Sequence, residues 1–260
     1  MKKLLFIILL CSLSIFIVSC KKDTQKTNNT VTNNTLIVGL DDTFPPMGFR
    51  DENNNIVGFD IDLAKEVAKR LNMNITLQPI DWASKELELN TGRITCIWNG
   101  LSKDPARAEA MTLTKPYVAN RMVIIVNSSS NIKTKDDLKG KKVGLQAGST
   151  AVKALEKDPI SSQVKQAAYE NNILALTDLS INRIDAVIMD EIVGRYVMSK
   201  GGSSYKILDD SLDEEFYVIA FKKGNTELAN KVESTLQDMI NDGTAGKISK
   251  KWFNQDILLK

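Results

Sequence analysis

The chain has 260 residues, 43% of them hydrophobic and 25% charged, with a formal charge of only +2. That is enough for one large domain or two lobes, and no basic stretch interleaved with aromatics suits nucleic acid. It has no histidine, which excludes histidine general bases, Ser–His–Asp triads and histidine-held metals together. Its three cysteines, Cys11, Cys20 and Cys96, lack metal spacing, so no zinc, iron–sulfur or haem site and no cofactor is expected.

Met1-Lys2-Lys3 is a positive n-region, and residues 4–18 form an apolar core too short for a membrane span and suited to a signal peptide. It ends Ile17-Val18-Ser19-Cys20, which resembles the lipobox of bacterial lipoproteins. Residues 1–19 then read as a signal peptide cut before Cys20, whose thiol takes a lipid. Residues 20–35 are rich in Asn and Thr with almost no apolar side chain, so they cannot bury enough surface to offset ordering entropy, and a flexible tether is expected. The first 35 residues hold five lysines against one aspartate, a surplus of four, so the rest of the chain carries −2 where the whole carries +2. With Cys11 removed and Cys20 acylated, Cys96 stands alone and has no disulfide partner.

The folded body begins with the buried strand Leu36-Ile37-Val38-Gly39-Leu40. Asp41-Asp42-Thr43-Phe44-Pro45-Pro46 follows as a stiff loop bearing two carboxylates and an aromatic. After a turn over 51–55, a helix runs over 60–71: Ile61, Leu63, Ala64, Val67, Ala68 and Leu71 share one face, and Asp60 and Asp62 suit the amino end. Residues 74–79 read as a strand and 83–90 as a short helix behind Asp81-Trp82. Ile94-Thr95-Cys96-Ile97-Trp98 is a buried strand that breaks into a polar loop at Asn99-Gly100-Leu101-Ser102. Asp104-Pro105 then reads as the N-cap and first residue of a helix, with Arg107 in its first turn. An open α/β sheet places its ligand beyond the carboxyl ends of its strands, and a guanidinium with flanking donors suits a small carboxylate.

Residues 122–126 form a long aliphatic strand before a polar loop over 127–131. Val143-Gly144-Leu145 opens a second strand–loop–helix, through Gln146-Ala147-Gly148-Ser149-Thr150 into a helix over 151–155. The amides of Ser149 and Thr150 at its start suit an anion. A helix over 173–181 and a strand over 184–189 follow. Asp190 occupies another strand end, and Glu191 reads as surface. Strands over 205–208 and 216–221 and helices over 226–242 and 244–252 finish the chain. The chain leaves one β/α lobe, builds a second and returns. Lobe 1 is 36–119 with 218–260, and lobe 2 is 120–217. Two extended strands near 117–126 and 216–221 join them, a double crossing that permits hinge closure around a ligand.

Gly58-Phe59-Asp60-Ile61-Asp62-Leu63, Asn99-Gly100-Leu101-Ser102 with Arg107, Asp137-Leu138-Lys139-Gly140-Lys141-Lys142-Val143-Gly144, Gly148-Ser149-Thr150, and Arg183-Ile184-Asp185-Ala186 with Asp190 occur in that order. Together, over roughly residues 36–252, they resemble the family 3 bacterial extracellular solute-binding proteins, the polar amino-acid receptors of ABC importers. The resemblance implies a two-lobe α/β fold of the type II periplasmic-binding-protein kind. It implies a lipid-anchored monomer facing the periplasm or cell exterior, which hands a polar, basic or amide L-amino acid to the transmembrane subunits of an ABC permease. It also implies residue roles. Arg107 holds the ligand α-carboxylate, helped by Ser102 and by Ser149 and Thr150, while Asp190, Asn99 and Gly100 take the α-ammonium. Phe44 and Trp82 wall the side-chain pocket, and Asp41 meets the side-chain terminus. Gln146 completes the set.

The residues agree with this in physical terms. Burying a zwitterion needs a fixed cation and a fixed anion a few ångströms apart, and here one lobe supplies each. The sequence departs from the family pattern at Gln146 and Ala151, where some relatives specific for basic side chains differ. Phe44 stands where tyrosine is commoner, and Asn99-Gly100 where others have two hydroxyl residues. Strand alternation leaves open whether Trp98 faces the cleft, and of Asp41 and Asp42 only one is expected to face inward, the resemblance favouring Asp41. Two other readings are a lyase on the same fold, resembling the cyclohexadienyl dehydratases, and an amino-acid sensor without transport. A lyase needs an acid or base aimed at the reacting carbon, and the carboxylate and ammonium partners are better used for binding.

Overall fold

In the computed structural model, residues 34–201 and 204–260 are described. The expected signal peptide, the Cys20 lipidation site and most of the tether lie outside them. Thr35, expected at the end of the tether, already opens the first strand.

In chain order the strands and helices are β1 (Thr35–Leu40), β2 (Thr43–Phe44), β3 (Gly48–Arg50), β4 (Ile56–Val57), α1 (Phe59–Arg70), β5 (Asn74–Pro79), α2 (Lys85–Thr91), β6 (Cys96–Ser102), α3 (Pro105–Ala110), β7 (Met111–Leu113) and β8 (Val118–Asn127). Then come β9 (Lys142–Gln146), α4 (Thr150–Lys157), β10 (Lys165–Tyr169), α5 (Asn172–Ser180), β11 (Ala186–Asp190), α6 (Glu191–Ser199), β12 (Tyr205–Lys222), α7 (Thr226–Asn241) and α8 (Thr244–Phe253). The main sheet runs β10-β9-β11-β8-β12-β6-β1-β5, with β7 on β12, and β2, β3 and β4 form a small second sheet. Pairing is parallel among β5, β1 and β6 and among β10, β9 and β11. It is antiparallel where β8 and β12 join these two groups.

Alternation along β8 divides the interior. Val123 and Ile125 enter the cluster that also holds Phe59, Leu63 and Val67 of α1, while Met122, Ile124 and Val126 enter another with Leu138, Leu145 and Leu155. The apolar stripe of α1 is buried as its spacing requires. Among the described residues, no helix is long and apolar enough to cross a membrane.

Two further expectations are corrected, and strands are added that the sequence reading did not include. Asn99-Gly100-Leu101-Ser102 is not a loop but the second half of β6, paired to β12 through Leu101↔Val218 and Ser102↔Tyr217. The positive φ that Asn-Gly invites is present at Gly100 (+56°), yet cross-strand pairing carries the strand through it. The two late strands are one 18-residue β12, whose polar middle follows β8 through register shifts between Ile207, Ser211 and Asp213. Finally, β10 was not expected: it pairs only with β9, so it lacks the apolar run of a central strand.

Candidate functional site

Local capping sets the cationic end of the site. Asp104 accepts from the amides of Ala106 (2.8 Å) and Arg107 (3.4 Å), with Pro105 at the start of α3. The Arg107 side chain is thereby buried. Its Nη1 donates to the Ser102 carbonyl (2.7 Å) and Nη2 to the Gly148 carbonyl (3.2 Å), and the Asp104 carboxylate lies 4.0 Å from Nε. Burial pulls the Arg107 pKa down, opposed by the carboxylates of Asp104, Glu215, Glu86 and Asp190. Asp104 is shared with Lys153, so Arg107 keeps a guanidinium whose best bonds go to neutral carbonyls.

Asp190, at the end of β11, supplies the anionic end. It is 5% exposed, and its Oδ1 accepts from Asn120 Nδ2 (2.7 Å) and the Tyr217 hydroxyl (2.6 Å). It makes no side-chain cap to α6. Burial first, then the nearby Glu215 carboxylate, pushes its pKa up to about 7. Glu215 is itself buried, accepting from Ser102 Oγ (2.6 Å) and Asn120 Nδ2 (3.3 Å).

Asp41 stands at the far end of the site. Its Oδ1 accepts from the Thr43 amide (2.9 Å) and hydroxyl (2.6 Å), and its Oδ2 from Gln146 Nε2 (2.7 Å). Burial raises its pKa despite these bonds. The other end of the Gln146 amide accepts from Asn172 Nδ2 (3.2 Å). Asn99 Oδ1 accepts from the Asp41 amide (3.1 Å), leaving Nδ2 buried without a protein partner. A Cβ on Gly100 would come within 2.7 Å of the Phe44 ring, so only glycine lets strand and ring meet here. Ser149 Oγ donates to the Gln146 carbonyl (2.8 Å) rather than capping α4.

Asp41, Phe44, Trp82, Asn99, Gly100, Ser102, Arg107, Gln146, Ser149, Thr150 and Asp190, all eleven residues expected at the site, line one narrow cavity. Trp98 does not. It is fully buried core, edge-on to Tyr117 with ring centroids 6.4 Å apart. Asp42 turns away to pair with Arg50 (2.5 Å). Glu191, expected on the surface, is largely covered: its side chain is 15% exposed and bound by Arg121 (2.6 and 2.9 Å) and Arg195.

Sequence reasoning missed the groups behind these walls. Lys85 is buried over the Trp82 ring (5.0 Å) and donates to the Trp82 (3.0 Å) and Gly148 (2.8 Å) carbonyls; burial, then Arg107, pulls its pKa down to about 7. Asp60 takes the Gly100 amide (2.7 Å) and the Tyr117 hydroxyl (2.8 Å), and burial raises it to about 7. The signal for Asn120 was a polar residue set inside an otherwise strand-forming run, whereas Glu215 ends the polar stretch 209–215 and gave none. Among the described residues, no group of three or more His, Cys, Asp or Glu is arranged to hold a metal.

Known proteins share this chain's pattern over nearly its whole folded part. The L-cystine-binding protein TcyJ of Escherichia coli (strain K12) is 29% identical over 225 residues, covering 86% of this chain and 84% of that protein. The crystal structure of an ABC uptake transporter substrate-binding protein from Streptococcus pneumoniae with bound histidine is 34% identical with a TM-score of 0.85, covering 88% of this chain and 96% of that one. An ancestral arginine-binding protein bound to arginine is 39% identical with a TM-score of 0.80, covering 85% and 98%. The fold is the two-lobe, type II periplasmic-binding-protein architecture. Residues 36–255 match one family description, and the chain belongs to the bacterial extracellular solute-binding proteins, family 3.

Proposed function

We propose that this protein binds one polar L-amino acid in the Arg107–Asp190 cavity and delivers it to the transmembrane subunits of an ABC importer. The observation that carries this reading is a buried guanidinium and a buried carboxylate lining the same small cavity, each held mainly by neutral partners. Burying a lone charge is costly, and an α-amino acid supplies the missing opposite charge to both ends at once. Arg107 binds the α-carboxylate and Asp190 the α-ammonium. Phe44 and Trp82 flank the side chain, whose polar end meets Asp41 and Gln146. With Arg107 in lobe 1 (36–119 and 218–260) and Asp190 in lobe 2 (120–217), the ligand joins the two, so closure is favoured when the site is filled. The relatives named above bind cystine, histidine and arginine, which supports a polar side chain. Binding is a better use of this pair than catalysis, because both charged groups are aimed at ligand ends rather than at a reacting carbon. Cys20 is the proposed lipid anchor, holding a monomeric receptor at the membrane outside the cytoplasm.

A thermal-shift panel of the twenty amino acids tests the reading. A ligand at ~100 times its Kd adds about 2.7 kcal/mol of stability, and the expected hits have polar side chains. Asp41→Asn should change which ligand ranks first. A panel without a hit, or hits confined to apolar amino acids, would overturn the proposal.

A further inference from the structure

Lys85, at the start of α2, lies outside the cavity wall and is only 3% exposed. Its ammonium sits 5.0 Å over the Trp82 ring and donates to the Trp82 carbonyl (3.0 Å), both close by in the chain. A further bond goes to the Gly148 carbonyl (2.8 Å), 63 residues on. Helix α2 packs on β1 and β6, whereas Gly148 follows β9, so this bond crosses from the β5-β1-β6 group to the β10-β9-β11 group. The same carbonyl takes Arg107 Nη2 (3.2 Å). An ammonium has three donors and no acceptor, and burying it is costly unless acceptors replace water. The Trp82 carbonyl is always at hand, but the Gly148 carbonyl is there only while its turn is seated on the 82–84 turn. Gly148 shows how close that seat is. Its φ is +70°, and a Cβ there would come within 2.9 Å of Ala83 Cα and 3.4 Å of Lys85 Nζ, so only glycine lets the two turns meet. The seated turn carries Gln146, Ser149 and Thr150 into the cavity wall.

We infer that Lys85 is a positioning residue that grips the Gly148 carbonyl across the cleft, so that it governs how long a bound amino acid stays rather than how fast it enters. This rests on the amino-acid-binding reading and deepens it. Entry takes place before the turns meet, when Lys85 has only water and the Trp82 carbonyl. Release requires the turns to part, and the Gly148 carbonyl must then leave both Lys85 and Arg107.

The test is stopped-flow fluorescence with L-arginine, L-histidine and L-cystine on the full chain, in wild type, Lys85→Met, Gly148→Ala and the double variant. Methionine keeps an unbranched stem over Trp82 and removes the donors. In Lys85→Met the dissociation rate should rise about 10-fold, with the association rate within about twofold and the ligand-free Tm unchanged. Gly148→Ala leaves Lys85 in place but pushes the turns apart, and should speed dissociation similarly. The double variant should release ligand no faster than the faster single one. A lysine that only supports its own part of the sheet would lower the ligand-free Tm in Lys85→Met and leave the dissociation rate unchanged, which would overturn the inference. Multiplied rate increases in the double variant would overturn it too, since Lys85 and the Gly148 turn would then act separately. Should Lys85→Met not fold, Gly148→Ala decides alone: an unchanged dissociation rate there equally overturns it. Wild type binding none of the three amino acids would instead be a failure of the amino-acid reading for these ligands.

Discussion

Two concavities among the described residues differ in size and in charge, and the larger is not the one assigned to the ligand. The groove lined by Arg121, Glu191, Arg195, Tyr196, Phe216 and Trp252 is far larger than the narrow Arg107–Asp190 cavity. What separates them is the state of their charges. In the groove, Glu191 is paired with Arg121 and Arg195, whose side chains are 44% and 65% exposed, so water and a counter-charge already satisfy them. In the cavity, Arg107 and Asp190 are stripped of water and rely on carbonyls, an amide and a phenol. Unmet charge, more than volume, marks a place that gains from a ligand.

Removing the cavity's cation breaks this contrast most severely. Arg107→Ala should lower amino-acid affinity by at least ~100-fold, on the scale of about 3–5 kcal/mol for breaking a buried ion pair. Titration calorimetry would show it, and near-wild-type binding would remove the cavity from consideration. Asp190→Asn should come next, with affinity down roughly 10- to 100-fold and an opposite effect on the ligand-free fold. The raised pKa of Asp190 means that stability is lost as pH climbs from the usual 3.8 through about 7. Asparagine cannot ionise and keeps an Oδ1 for Asn120 and Tyr217. Ligand-free Asp190→Asn should therefore gain in Tm over wild type progressively between about pH 4 and 7 and hold the gain above. A Tm difference that does not change with pH would contradict the assignment.

A smaller effect tests the wall. Gly100→Ala combines a φ of +56° with a Cβ 2.7 Å from the Phe44 ring, and should cost about 1–3 kcal/mol in denaturant unfolding. The smallest belongs to the groove: Arg121→Ala should leave affinity within about threefold and stability within about 1 kcal/mol. A larger loss of binding would show that the groove shares in ligand capture.

Much of the site was legible beforehand because its signals are local. Asp104-Pro105 announces a capped helix, which fixes Arg107 three residues on; strand ends announce Asp41, Gln146 and Asp190. Each depends on periods and caps within a few residues, and these hold whatever the chain packs against. Trp98 and Asp42 could not be assigned a side this way, since alternation gives two faces but not which of them the cavity takes.

What the sequence determined by itself was a chain of strand–loop–helix units with a guanidinium, carboxylates and hydroxyls at the loops. Only the tertiary structure decided that β6 continues through Asn99-Gly100, that β12 is a single strand, and that Glu215 stands behind Ser102 from 113 residues away. The reason is the range of the forces involved. Helix caps and strand periods act between near neighbours, whereas the pairing of β12 with β6 and β8, and the desolvation that sets Asp60, Lys85 and Asp190 apart from exposed residues of their kind, exist only once distant segments have met.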